Sequence, residues 1–139
     1  VWLAPNADAG SAAILQRLSD GPDARIRTVT HLARPLYVAA LRHADLLVGN
    51  SSSGIIEAAS FGTPVVNVGD RQRARERNAN VRDCEARFDA IAAAVGSALA
   101  HGPYDRTNVY GDGQAGERIA QHLAREPITA SLLHKINAY

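Results

Sequence analysis

Asp45-Leu46-Leu47-Val48-Gly49-Asn50-Ser51-Ser52-Ser53-Gly54-Ile55-Ile56-Glu57 is the stretch on which the fold turns. Its first part, Asp45 to Val48, is a short apolar run and reads as a buried strand. Its last part continues through Ala58, Ala59 and Phe61, with apolar residues spaced as one side of a helix. Only small and hydroxylated residues lie between. A strand feeding a helix through such a turn points several backbone N–H groups at one place, and the helix dipole and serine hydroxyls add to the pull on an anion. The same residues also suit an ordinary N-cap, and the turn alone leaves both readings open. Glu57 bears on the choice. A capping box needs Glu three residues after the cap; if Ser53 caps, that position is Ile56. Glu57 is left for another task, such as accepting hydrogen bonds from vicinal hydroxyls like those of a ribose.

Outward from this stretch, strands and helices alternate. Val1 to Ala4 reads as a strand, followed by a turn-rich loop and a helix over about Ser11 to Ser19 that Asp20-Gly21-Pro22-Asp23 closes. Ile26 to Thr30 alternates with period two, and Pro35 to Ala44 reads as a helix with Pro in its first turn. After Phe61, Gly62-Thr63-Pro64 stops the helix and Val65 to Val68 is the next strand. Asn80 to Cys84 reads as one more. Ala86 to Ala100 is a long helix with Phe88, Ile91, Ala92, Val95 and Leu99 on its apolar side. Gln114 to Arg125 and Ile128 to Asn137 read as two further helices. The alternation predicts an α/β fold with a doubly wound parallel sheet and right-handed crossovers.

The composition limits the function classes. A chain of 139 residues suits one domain with a core, and a formal charge of +1 gives no global pull toward nucleic acid or membrane. Cys84 is the only cysteine, so no internal disulfide forms and no oxidising compartment is implied. No run approaches membrane-span length, and no signal peptide is visible, so a cytoplasmic location is expected. The sequence begins inside an apolar strand and contains no Met, and so reads as part of a longer protein.

In doubly wound sheets, ligands bind at the carboxyl ends of strands. The loops that matter therefore follow Ala4, Thr30, Val48 and Val68. The first, Pro5 to Ser11, also reads as a simple turn with Asp or Ser capping the next helix. His31, after the second strand, reads as structural on local grounds. The loop after Val68 carries Arg71, Arg73, Arg75 and Arg77. Such a run is usually a solvated surface; acids lie among the arginines and no aromatics are interleaved, which argues against nucleic acid. Its position matters more. It leaves the strand next after the serine turn, and the planar fork of Arg71 suits phosphate oxygens.

These residues carry a resemblance. Gly49-Asn50-Ser51-Ser52-Ser53-Gly54-Ile55-Ile56-Glu57, Phe61-Gly62-Thr63-Pro64-Val65-Val66-Asn67-Val68-Gly69-Asp70-Arg71-Gln72, Arg75 and Asn80-Val81 resemble the UDP-N-acetylglucosamine 2-epimerase family, its hydrolysing branch in particular. Pro5 to Ser11 and Tyr110-Gly111-Asp112-Gly113 are similar to family segments as well. The resemblance implies a Rossmann-like domain, the C-terminal half of a two-domain GT-B fold. Residues 1–126 would be the UDP-binding domain and 127–139 a helix returning to a first domain outside this sequence. It implies that Ser51, Ser52, Ser53, Gly54 and Arg71 hold the UDP phosphates, that Glu57 holds the ribose, and that backbone near His31 and Leu32 reads the uracil. No metal or cofactor is implied. The carboxylates credited with the proton chemistry belong to the first domain, so no catalytic residue is expected here.

The implied partners are a UDP-sugar, the first domain and a second copy in a homodimer. The reaction would release UDP and a mannosamine-type 2-epimer for sialic-acid-like sugars. Three alternatives stand beside it. Non-hydrolysing 2-epimerases tend to carry Ser-Gly-Gly-x-x-Glu-Glu, where this chain has Ser52-Ser53-Gly54-Ile55-Ile56-Glu57-Ala58. GT-B glycosyltransferases also place a Glu and a helix start at UDP. A non-enzymatic nucleotide-binding module is the third.

Overall fold

The structure is a computed structural model that describes residues 1–6, 9–20 and 23–134, without the side chains of Ser131 and Leu132. In chain order its elements are β1 Trp2–Leu3, α1 Ser11–Ser19, β2 Thr28–Val29, α2 Arg34–His43, β3 Leu47–Gly49, α3 Ser52–Ile56, a 3-10 turn Ala58–Phe61, β4 Val65–Val68, β5 Val81–Cys84, α4 Phe88–His101, α5 Ala115–Arg125 and α6 Ala130–Leu133. The α/β alternation read from the sequence is present, and every strand pair is parallel. The strands form two sheets and not one: β1-β2 and β3-β4-β5. β1 and β3 each bond a neighbour on one edge, and no strand among the described residues joins their other edges.

The core sits around β4, whose Val65, Val66 and Asn67 are buried. Successive side chains of a strand point to opposite faces, and here each face has its own cover. Val65 lies with Leu41 of α2 and Ala58 of the 3-10 turn, flanked by Tyr37, Leu47, Phe61 and Val81. Val66 lies with Ala94 and Ala98 of α4, flanked by Leu46, Val68, Cys84 and Val95. Helices therefore cover both faces of this sheet, as in a doubly wound fold. Each fully buried valine contributes about 1.5–3 kcal/mol of apolar burial.

Three expectations change. The helix after the serine turn is not continuous to Phe61. Glu57 (φ −106°) ends α3, the chain tightens into the 3-10 turn, and Gly62 (φ 72°) closes it. α4 packs through a narrower face than its periodicity suggests: Ala94 and Ala98 are buried, while Phe88 and Leu99 are 89% and 51% exposed. Small side chains let the helix approach β4 and β5; Val95 flanks that line of contact, and Phe88 and Leu99 fall outside it. Ile119 and Leu123 of α5 are also exposed, at 59% and 76%, so that helix meets no core among the described residues. In the tail, α6 is a single turn within the expected helix; Ile136 lies outside the described residues, as do Gly21 and Pro22 of the expected stop after α1.

Candidate functional site

The serine turn lies at the carboxyl end of β3. Ser51 is its cap: its Oγ accepts from the Ser53 N–H at 3.3 Å, and its carbonyl accepts from the Gly54 N–H at 3.2 Å. With Ser51 as cap, the capping-box position falls on Gly54, so Glu57 is not a box partner in this register either. The cap uses the Ser51 side chain and the Ser53 N–H, and Ser52 takes no part in it. Ser53's hydroxyl is hydrogen-bonded to the Tyr37 hydroxyl. Ser52 has no partner for its N–H or hydroxyl among the described residues, which leaves both as open donors in the turn. α3 is only five residues long. A dipole needs several aligned peptides, so attraction for an anion here rests on directly aimed donors.

Gly54 has a packing task in the structure. A Cβ there would stand 3.0 Å from Val65 Cγ1 and 3.1 Å from Leu47 Cδ2. Its missing side chain lets α3 lie against β3 and β4, which fixes the height of the serine turn over the strand ends.

The loop after β4 closes onto this turn. Gln72 is buried (6% exposed), and its Nε2 donates to the Asn50 carbonyl at 2.9 Å. Arg71 directly precedes Gln72, on an exposed part of the loop. Arg77 points inward. It donates to both oxygens of Asp83, at 3.0 and 3.1 Å, and to the carbonyls of Gln72 and Arg75 at 2.8 and 2.6 Å. The Arg77 hydrogen bonds hold the Asp83 carboxyl below its ordinary range, with Asn67 assisting. An open cleft of about 310 Å³ lies under the loop, lined by Gly69, Asp70, Arg73, Arg75, Arg77 and Asp83.

Glu57 stands at the far end of α3, where Arg34 Nη2 meets its Oε2 at 2.5 Å. His31 and Leu32 lie in the segment between β2 and α2, His31 exposed and Leu32 half-buried. The tie between α2 and α3 through Arg34–Glu57 and Tyr37–Ser53 brings that segment toward the serine turn.

Side chains far away in sequence brace the arrangement. Asn78 is buried and donates to the Ile55 carbonyl at 3.1 Å; Asn108 donates to the Ile56 carbonyl at 2.8 Å and to Ser60 Oγ at 2.8 Å. These amides satisfy carbonyls that the short α3 leaves without intrahelical partners. Asn78 Oδ1 accepts from the Val109 N–H at 2.8 Å, and the Tyr110 hydroxyl donates to the Glu76 carbonyl at 2.8 Å. Sequence reasoning missed Arg34, Tyr37, Gln72, Asn78 and Asn108. Their partners lie 16 or more residues away, and no local pattern encodes such distances. The amides Asn78 and Asn80 beside a buried strand were the only available hint. Among the described residues, no cluster of three or more His, Cys, Asp or Glu is placed to hold a metal, and no helix is long and apolar enough to cross a membrane.

Comparisons with known proteins bear on the family. A sequence profile of UDP-N-acetylglucosamine 2-epimerase matches residues 1–124. The chain is 45% identical to the UDP-N,N'-diacetylbacillosamine 2-epimerase (hydrolyzing) of Legionella pneumophila, over 100% of this chain and 37% of that protein. It is 29% identical to the UDP-N-acetylglucosamine 2-epimerase of Neisseria meningitidis, over 87% of this chain and 33% of that one. Over 52% of the chain it is 38% identical to a GDP/UDP-N,N'-diacetylbacillosamine 2-epimerase (hydrolyzing) of Campylobacter jejuni, 19% of which is covered. The chain thus spans little more than a third of the length of these relatives at most.

Proposed function

Because this chain belongs to the UDP-N-acetylglucosamine 2-epimerase family, we propose that it is the UDP-binding half of a hydrolysing UDP-sugar 2-epimerase. Its substrate would be UDP-N-acetylglucosamine or a UDP-diacetamido sugar. The observation that carries the reading is the closure of the β4 loop on the serine turn through Gln72 and Asn50. It gathers Ser52 and the Arg71 loop at the carboxyl ends of two adjacent parallel strands, where α/β folds bind ligands.

In this reaction the sugar loses its C2 proton while the C1–O bond breaks. UDP leaves with the bonding electron pair, and C1 and C2 become doubly bonded. Water then adds its oxygen to C1, and a proton returns to C2 on the opposite face. Elimination and hydration need no external oxidant or reductant. Negative charge grows on the β-phosphate as UDP departs, and donors already aimed there stabilise the transition state more than the ground state. Ser51, Ser52 and Arg71 serve the phosphates in this reading, Glu57 the ribose, and backbone at His31 and Leu32 the uracil. Ser53 and Gly54 shape the turn. The proton-transfer groups come from the rest of the full-length protein, so the 139-residue chain alone is expected to bind UDP weakly and to turn nothing over.

The hydrolysing branch is favoured over the non-hydrolysing one by Ser53 and Ala58, which stand where the latter tends to carry Gly and Glu. Product analysis of the full-length protein tests the proposal. Free 2-epimer and UDP are expected; a UDP-linked 2-epimer would assign the non-hydrolysing reaction, and a requirement for an acceptor would assign glycosyl transfer.

A further inference from the structure

Arg34 and Tyr37 lie one turn apart on α2; Ser53 and Glu57 lie one turn apart across α3 and its end. The side chains meet in register. Arg34 Nη2 stands 2.5 Å from Glu57 Oε2, and the Tyr37 hydroxyl bonds Ser53 Oγ. The Arg34 guanidinium also sits 6.0 Å over the Tyr37 ring, so the two rungs support one another. Glu57's side chain is 27% exposed and Arg34's 66%. A surface ion pair of this exposure adds little to stability, so its value lies in what it does to Glu57. A carboxylate has two acceptor oxygens. Arg34 engages Oε2, and no hydrogen bond from the described residues reaches Oε1.

We propose that Arg34 is a positioning residue for ribose recognition: it pins one oxygen of Glu57 and so presents the other, at a fixed angle, to the vicinal hydroxyls of the nucleotide. The Tyr37–Ser53 rung holds the same two helices in register, so that the segment carrying His31 and Leu32 keeps its span to the serine turn. This rests on the reading of Glu57 as the ribose acceptor. A carboxylate free to rotate loses entropy when it binds a diol; one already held by a guanidinium loses less, and preorganisation of this kind raises affinity without a new contact.

The test compares UDP with 2'-deoxy-UDP on the full-length protein by titration calorimetry. In the wild type, loss of the 2'-hydroxyl is expected to weaken binding about tenfold, the scale of one charge-assisted hydrogen bond. Glu57→Gln should abolish most of that discrimination. Arg34→Gln should weaken UDP and leave 2'-deoxy-UDP nearly unchanged, cutting the ratio to about threefold or less. Arg34→Lys, which keeps the charge, should restore part of it. If Glu57→Gln loses the discrimination while Arg34→Gln keeps it, the positioning role is wrong and the ribose reading stands. If Glu57→Gln itself keeps the wild-type ratio, the ribose reading fails and the inference falls with it.

Discussion

At the scale of single residues, neighbouring serines prove unequal. Ser51 closes the turn, Ser53 is held by Tyr37, and Ser52 alone keeps an unpartnered N–H and hydroxyl among the described residues. In the full-length protein, Ser52→Ala should therefore lower kcat on the order of a hundredfold, as loss of a transition-state donor does. Ser53→Ala should cost less. Steady-state kinetics decide this, and a change confined to KM for Ser52→Ala would assign it to uniform binding. Gly62 makes a sharper demand. Its φ is 72°, and a Cβ there would stand 2.2 Å from the Tyr104 carbonyl oxygen. Gly62→Ala is expected to destabilise the fold by at least about 2 kcal/mol in urea denaturation, combining left-handed strain with a backbone clash. The sequence announced Gly62 as a helix stop, but Tyr104 is 42 positions away, and that contact was not legible.

Among the elements, the helix starts are handled differently. α1 begins at Gly10 without a side-chain cap, whereas α5 begins beside Asp112, which accepts from the Gln114 N–H at 3.1 Å and from Arg118 at 2.9 and 2.7 Å. The Arg118 bonds, and then the Gln114 amide, lower the Asp112 carboxyl to about 2 from 3.8. A folded-state value below the unfolded one means that this contribution is complete above about pH 4 and is lost as pH falls through about 2. Wild type and Asp112→Asn should differ in stability at neutral pH and converge in acid. A difference that persists at pH 2 would show that the charge is not the cause. The element pattern itself was readable, since periods of two and 3.6 and the Gly and Pro stops located most strands and helices. The break at Glu57 was not, because a switch from α to 3-10 hydrogen bonding leaves the apolar spacing almost unchanged.

For the whole molecule, the divided sheet is the feature to explain. Parallel strands are ordinarily buried on both faces, and exposed sheet edges are blunted or covered. Here Trp2, Leu3 and Val48 are 43%, 39% and 44% exposed, and β1 and β3 each pair on one side. In a parallel ladder alternate N–H groups point to opposite edges, and those of Leu3 and Val48 point away from the partners of β1 and β3. Coverage of these edges in the full-length protein should make their amides exchange more slowly there than in the 139-residue chain. Equal hydrogen-exchange rates would mean that the edges stay open.

By itself the sequence determined the α/β alternation, the parallel strands, the serine turn at a strand end and the family. These follow from local periodicity, turn chemistry and a contiguous run of motif residues. Only the tertiary structure decided that Ser51 caps while Ser52 stays open, that Gly54 seats α3 on the sheet, that Gln72 ties the arginine loop to the turn, and that Arg34 holds Glu57. Each of these depends on which side chains meet across long stretches of chain. Such meetings are set by how α2, α3 and the 102–113 loop pack around β4, and no local spacing records them.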